Sequence, residues 1–478
     1  MNKLMNKNFF ITTTLPYVNA EPHIGFAKEI ISADVLARFH RAQGEEVFFN
    51  TGTDEHGLKI YKKAQELKMN AQEYCDSIAP EFDKLKAALN LSYDNFIRTT
   101  DKNHIQAAQE FWKICDTNGD IYKKNYKVKY CVGCELEKTD SELVDGKCPE
   151  HPNMELEIIE EENYFFRFSK YQKPLLKLYE KNPEFVKPAK RLNEIKNFVT
   201  KGLEDFSVSR LKEKMPWGVP VPNDENQVMY VWFDALVNYI SALGWPKDKK
   251  IFEKFWPGYQ VCGKDNLRQQ AAMWQAMLMS AKLPNSKQVF VNGFITVNNQ
   301  KMSKSLGNVI SPYEMVEKFG TDATRYLLLS GANFGEDFDI SWEKLTEKYN
   351  ADLANGLGNL LSRVITLAQK GNFQFSIFNF QSISNDSIFN LIKNMELGQS
   401  LDYIWKIISD DNKFIGENKP WELVKTDKNK FEKVMLKLLK DLNLISELLL
   451  PLMPETSEKI KKALETKKLE EVLFQRIK

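Results

Sequence analysis

The sequence of 478 residues is short of several things, and each shortage removes a class of protein. It has no run of 18 apolar residues, which excludes a membrane-crossing helix of ordinary length. No apolar stretch of signal-peptide length stands before Thr12, so the expected location is the cytoplasm. Cysteine is sparse: six residues cannot staple a chain of this size. Charge of one sign is missing as well, with 66 Lys+Arg against 65 Asp+Glu and a formal net charge of +1. A global basic field is thereby excluded, and any nucleic-acid contact must come from placed residues and local patches. Internal repeats and long low-complexity segments are also absent. What remains is 43% apolar and 27% charged, an ordinary globular balance. At roughly 100–200 residues per domain, the length predicts about two to four domains.

The pattern along the chain is α/β, then α. Residues 9–15 are β-branched and aromatic and run into Pro16, as a strand does on entering a loop. Ile30, Ile31, Val35, Leu36 and Phe39 then recur at helical spacing, and residues 46–52 form a second apolar strand with a glycine exit. Strand, helix and strand within some forty residues predict a βαβ unit, hence a parallel sheet with a crevice at its carboxyl edge. Helical patterns fill residues 57–118. Residues 119–225 change character and read as an insertion between two halves of one domain, 1–118 and 226–345. The second half has predicted strands at 228–233, 259–263 and 288–293 and a helix over 266–281. Beyond about residue 345 only helical patterns remain, so 346–478 is expected to be an all-α bundle. Leu353, Leu357, Leu360, Leu361 and Val364 share one of its faces, and residues 372–387 form a connection between helices.

Cys75, Cys115 and Cys262 are scattered and read as small buried hydrophobes. The other three cluster with a histidine, as Cys131-x-x-Cys134 and Cys148-x-x-His151. Two close pairs across a short loop have the ligand spacing of a tetrahedral zinc site. Four protein ligands leave no open position, so one structural ion is expected.

Two further motifs bracket the α/β region. Pro22-His23-Ile24-Gly25 stands where the first loop meets the first helix. A histidine and a helix N-terminus there suit an anion, although a plain turn and cap has the same letters. Lys301-Met302-Ser303-Lys304-Ser305 places two lysines three apart among hydroxyls, ahead of Gly307. That is a cationic clamp for polyphosphate, with a solvated basic loop as the alternative, and it lacks the Walker A frame.

Together these motifs resemble the two signatures of class I aminoacyl-tRNA synthetases. Within that class the sequence is similar to the methionyl-tRNA synthetase family through residues 14–19, 51–57, 230–235, 263–265 and 418–421. The resemblance implies a Rossmann-like catalytic domain split by a zinc-bearing connective insertion, followed by a helical anticodon-binding domain. It implies activation of methionine with ATP and Mg²⁺, then transfer to tRNA(Met). His23, Lys301 and Lys304 are implied as catalytic, and these three with Gly25, Gly263 and Asp265 as the ATP site. Leu15, Tyr17, Asp54, Trp232, Ala235 and Tyr239 are implied as the methionine pocket. An acid for an ammonium and aromatic walls for a thioether suit that substrate. Asp54 could equally cap a helix, and Trp232 and Tyr239 could be core aromatics. Asn359, Arg363, Pro420 and Trp421 are implied to read the anticodon. Six lysines between Lys425 and Lys440 make either a phosphate-binding patch or a solvated face.

The sequence departs from the family at two positions near the expected ATP site. Phe26 and Gln270 stand where a histidine is usual. A tRNA-binding paralogue without activity is therefore one alternative, and a synthetase for another amino acid is a second. The insertion is too small for the editing domain of leucine, isoleucine or valine enzymes. A cysteine enzyme would be expected to have a ligand cysteine earlier than Cys75. With no further module after the helical region, a monomer is expected.

Overall fold

The computed structural model describes residues 8–138, 140–302, 307–375 and 386–478. Lys304 and most of the connection predicted at 372–387 lie outside the described residues. The chain forms two compact units. The first holds the chain through Pro22, Glu46–Lys84 and Tyr93–Val291; the second holds His23–Glu45, Leu85–Ser92 and Asn292–Lys478.

The first unit is built on a six-stranded sheet: β1 (Asn8–Thr13), β2 (Glu46–Thr53), β3 (Asn95–Arg98), β4 (Val186–Lys187), β5 (Tyr259–Gly263) and β6 (Gln288–Asn292). Its order is β3-β2-β1-β5-β6-β4. β1 pairs in parallel with β2 and β5, β2 with β3, and β6 with β4. Phe9, Phe10 and Ile11 of β1 and Val289, Phe290 and Val291 of β6 are all buried. Continuous apolar runs of this kind are what a parallel sheet covered on both faces requires. The strand order reverses between β1 and β5, and such a switch point opens a crevice at the carboxyl ends of those strands. One core gathers Phe111, Trp112, Phe233 and Trp274, with Phe111 stacked on Trp274 at 5.6 Å. Full burial of such side chains stabilises by roughly 1.5–3 kcal/mol each.

A long antiparallel ribbon, Ile121–Cys131 against Glu157–Phe166, projects the cysteine cluster. Leu136–Lys138 and Phe206–Ser207 complete its four-stranded sheet.

Three local expectations are corrected. β3 interrupts the stretch predicted as wholly helical; its four residues are too few to display an alternation. Residues 228–233 are not one strand but a strand at Gln227–Met229 and a helix at Val231–Ala235. An apolar run this short fits either state by pattern, and the Phe233 amide turns back onto the Tyr230 carbonyl at 2.9 Å. The segment read as one insertion contributes strands to three sheets. Its helices Gln172–Lys181 and Ala189–Thr200 pack Tyr179 and Ile195 into the main core, and β4 between them edges the parallel sheet.

In the second unit, helix Ile24–Ala42 joins a small sheet and a helical array. Strand Ile295–Val297 pairs antiparallel with Gln300–Lys301 and parallel with Phe338–Ile340. Asn298 and Asn299 between the first two have φ of +52° and +59°, the left-handed pair of a tight hairpin turn. Among the described residues after 345 there is no strand, and Leu353, Leu357, Leu360, Leu361 and Val364 are all buried. Arg325 ties this unit together. It pairs with Asp34 at 2.8 Å, both fully buried, and donates to the carbonyls of Leu89, Pro451 and Leu452.

Candidate active site

The switch point carries the candidate pocket. Beyond β1 the chain runs through Leu15 and Pro16 to Tyr17, which forms a parallel bridge with Asp54 beyond β2. The Asp54 amide donates to the Pro16 carbonyl at 3.0 Å and the Val18 amide to the Asp54 carbonyl at 3.3 Å. Tyr17 meets Trp232 edge-on, with ring centroids 6.4 Å apart. Leu15 and Trp232 are half-buried, whereas Ala235 and Tyr239 are buried.

Two adjacent acids behave differently. Glu55 is pinned by Arg98 through both carboxylate oxygens, at 2.6 and 2.9 Å, and accepts from Thr53 and Thr100. Asp54 is 2% exposed and has only a long bond from the Thr99 hydroxyl, 3.4 Å, and the His56 amide. Burial, then the carboxylates of Asp234 and Glu135, push its pKa well above the usual carboxylate range. Nor does Asp54 cap a helix: the N-cap of Leu58–Glu66 is Gly57.

Several neighbours were not given these roles from the sequence. Asp234 lies buried between His56 at 2.9 Å and His104 at 3.1 Å. Burial would raise its pKa, yet the two imidazoles hold it below the ordinary value. Gln270 donates to the Tyr239 hydroxyl and accepts from Gln260, which in turn accepts from Ser286. Instead of leaving a gap, Gln270 orients Tyr239 within a buried amide chain. Motif letters cover His56 and Asp234, and Gln270 stands out only as a departure; what each of them bonds to is remote in sequence.

At the end of β5, Gly263 makes room for Asp265, because a Cβ there would stand 2.5 Å from the Asp265 carboxylate. In the second unit, His23 is the N-cap of helix Ile24–Ala42, its Nδ1 accepting from the Gly25 amide at 3.0 Å. An accepting Nδ1 leaves the proton of a neutral ring on Nε2, a free donor for an anion. A Cβ on Gly25 would strike the His23 ring at 2.8 Å and would stand 3.7 Å from Met302 Cε, so the two signatures adjoin. Lys301 is exposed, its Nζ 5.2 Å over the Phe294 ring. Phe26 is buried.

The metal candidates converge. The ligand atoms of Cys131, Cys134, Cys148 and His151 all lie within 4.8 Å of one another. Individual separations are 3.2 Å for Cys134–His151, 3.5 Å for Cys134–Cys148 and 3.8 Å for Cys131–His151. Zn–S bonds of ~2.3 Å give tetrahedral edges of about 3.8 Å, so the donor set fits that ion. Cys75, Cys115 and Cys262 are buried, as expected.

In the helical region Arg363 lies 6.0 Å over the ring of Trp421, which is 44% exposed and so is not a packing residue. Asn359 is exposed one turn before Arg363, and buried Pro420 opens helix Pro420–Thr426. Of the neighbouring lysines, Lys437 is bound to Asp411 and Asp441 and does not belong to a free patch.

The family model described as tRNA synthetases class I (M) matches residues 9–156 and 152–365. The chain belongs to the methionyl-tRNA synthetase family. The anticodon binding domain of methionyl tRNA ligase matches residues 385–473. A methionine–tRNA ligase of Thermotoga maritima is 42% identical over 95% of this chain and 74% of its own. One from Nostoc is 42% identical over 95% of this chain and 89% of its own. The methionyl-tRNA synthetase of Mycobacterium tuberculosis, solved with methionyl-adenylate, superposes with a TM-score of 0.90 at 36% identity, covering 95% of this chain and 93% of that one. Among the described residues no helix is long and apolar enough to cross a membrane.

Proposed function

We infer that the chain is a methionine–tRNA ligase, which joins L-methionine to ATP as methionyl-adenylate with release of pyrophosphate and then charges tRNA(Met). The observation that carries this reading is Asp54, a buried carboxylate without a cationic partner among the described residues, beside Tyr17 and Trp232 at the sheet's switch point. An arriving ammonium supplies the missing charge. Leu15, Tyr17, Trp232, Ala235 and Tyr239 wall the thioether.

The methionine carboxylate attacks the α-phosphate, forming one P–O bond as the bond to pyrophosphate breaks. His23 through Nε2, with Lys301 and Lys304, stabilises the charge that develops there. Gly25, Gly263 and Asp265 seat the nucleoside. No side chain acts as nucleophile, so catalysis is positioning and electrostatics. Mg²⁺ accompanies ATP and neutralises phosphate charge.

Cys131, Cys134, Cys148 and His151 would hold one structural zinc, which closes the knuckle and carries no chemistry. Asn359, Arg363, Pro420 and Trp421 read the anticodon, with Trp421 as a stacking platform. The parts are a catalytic domain in two halves, 1–118 and 226–345, a connective segment at 119–225 whose helices and β4 pack into the catalytic core and sheet, and an anticodon domain at 346–478. The enzyme works in the cytoplasm as a monomer; a dimeric mass at micromolar concentration would overturn that state.

Methionine-dependent exchange of pyrophosphate into ATP, run beside the other nineteen amino acids, tests the central claim. Exchange with methionine alone is expected, and no exchange by folded protein would sink it. Elemental analysis should find one zinc per chain. Phe26→His should leave activation kinetics near wild type; a large gain would mean that the native site is impaired.

A further inference from the structure

Glu135 follows the knuckle residue Cys134, yet its side chain serves another part of the unit. Its φ is +52°, a left-handed conformation that non-glycine residues adopt at a cost, and it is 1% exposed. Oε1 accepts from the Lys59 amide at 3.1 Å. A Cβ on Gly57 would stand 2.9 Å from Oε1, so the carboxylate occupies the space that a side chain at Gly57 would fill. The Glu135 carbonyl accepts from the Tyr230 hydroxyl at 2.5 Å, and Lys59 Nζ donates to the Gly133 carbonyl at 3.3 Å. The turn that follows Asp54 is thus strapped to the knuckle at several points.

Among the described residues, Trp232 Nε1 is buried without a hydrogen-bond partner, while the buried Tyr17 hydroxyl and Glu135 carboxylate interact with each other. Buried polar atoms are nearly always paired, so a bare indole N–H against the Tyr17 ring marks a place prepared for something more. Among charged groups, Glu135 acts most strongly on the Tyr17 hydroxyl, and Lys59 Nζ lies 5.7 Å over the Tyr17 ring.

We propose that Glu135 is a positioning residue for methionine: it locks the Gly57–Lys59 turn and holds Tyr17 in place, so that the fold of the knuckle sets the shape of the amino-acid pocket. The proposal rests on the methionine pocket inferred above. It assigns Glu135 no contact with substrate and no proton transfer.

The test compares the full-length chain with Glu135→Ala and Glu135→Gln. Three measurements are needed: pyrophosphate-exchange constants for methionine and ATP, methionine binding by tryptophan fluorescence, and zinc content. Glu135→Ala should raise the methionine KM and the methionine Kd about tenfold, the loss of one charged hydrogen bond. kcat, the ATP KM and one zinc per chain should stay within twofold of wild type. Glu135→Gln keeps an acceptor for the Lys59 amide and should recover part of the loss. An unchanged methionine KM in Glu135→Ala would overturn the proposal. So would a parallel loss of methionine affinity, ATP affinity and zinc, which is the mark of a merely structural role. If Glu135→Ala does not fold, Glu135→Gln decides by the same readouts, and a wild-type methionine KM in it is the overturning result. Wild-type protein inactive with methionine would fail the pocket reading itself, whereas active wild type matched by Glu135→Ala would fail this inference alone.

Discussion

Asp34 and Asp54 are buried to nearly the same degree, at 0% and 2% exposure, and are compensated in opposite ways. Asp34 faces Arg325 and Arg38, both at 2.8 Å, and accepts from the Ser92 amide and hydroxyl. Burial pushes its pKa up, but the two guanidinium groups overcome that and hold it below the ordinary value. Asp54 has no ion pair among the described residues, and the charges that act on it most strongly are carboxylates. Asp34 therefore favours the folded state above the ordinary carboxylate pKa, and that contribution is lost as pH falls through its lowered value. Asp54 opposes folding once pH exceeds its unfolded pKa, and the penalty is complete above its raised folded pKa. A fixed partner marks a carboxylate that holds the fold. A carboxylate with none among the described residues suits a cation from solution, the role proposed for Asp54.

The largest expected effect breaks the Asp34 side. Arg325→Met should cost about 3–5 kcal/mol of stability in denaturant unfolding, because it leaves a buried carboxylate half-compensated. Methionine KM in the folded fraction should stay within twofold. A loss below about 1 kcal/mol would show that Arg38 alone suffices. Next is Asp54→Asn, expected to cut kcat/KM for methionine about 100-fold. It should leave stability at neutral pH unchanged or raised; a less stable variant would contradict the uncompensated reading. Acid titration sharpens the contrast. Methionine KM should climb as pH falls through a range well above the usual aspartate value of about 3.9, and the climb should vanish in Asp54→Asn. The ATP KM should not share that inflection. Smallest is Thr99→Val, which removes the long bond to Asp54 at 3.4 Å. It should raise methionine KM up to about fivefold and move the inflection upward. Because the same hydroxyl accepts the Glu55 amide, Thr99→Ser is the control and should remain near wild type.

The sequence showed best what was local. The ligand pairs around Cys131 and Cys148, the two phosphate signatures and the helical tail are each written within a few consecutive residues. Short elements that owe their state to distant partners were hidden. β3 is a strand because β2 is beside it, and β4 because β6 is, not because their own letters insist. Compensation was hidden for the same reason. Nothing in residues 30–60 says that one aspartate meets an arginine nearly three hundred positions away while the other meets none among the described residues. Glu135, His104 and Gln270 acquire meaning only from neighbours supplied by other segments.

The Asp34–Arg325 pair also imposes a schedule on synthesis. A ribosome adding about 5–20 residues per second needs roughly 15–60 s to travel from one to the other. Throughout that interval the first helix of the nascent chain carries Asp34 with its main counter-charge still unmade. The sheet's last strand, ending at Asn292, emerges before Arg325 does. The parallel sheet can therefore assemble during translation, while the unit holding His23 must wait for the final third of the chain. Slowing elongation between residues 292 and 325 would lengthen the period in which this helix is open to proteases and chaperones.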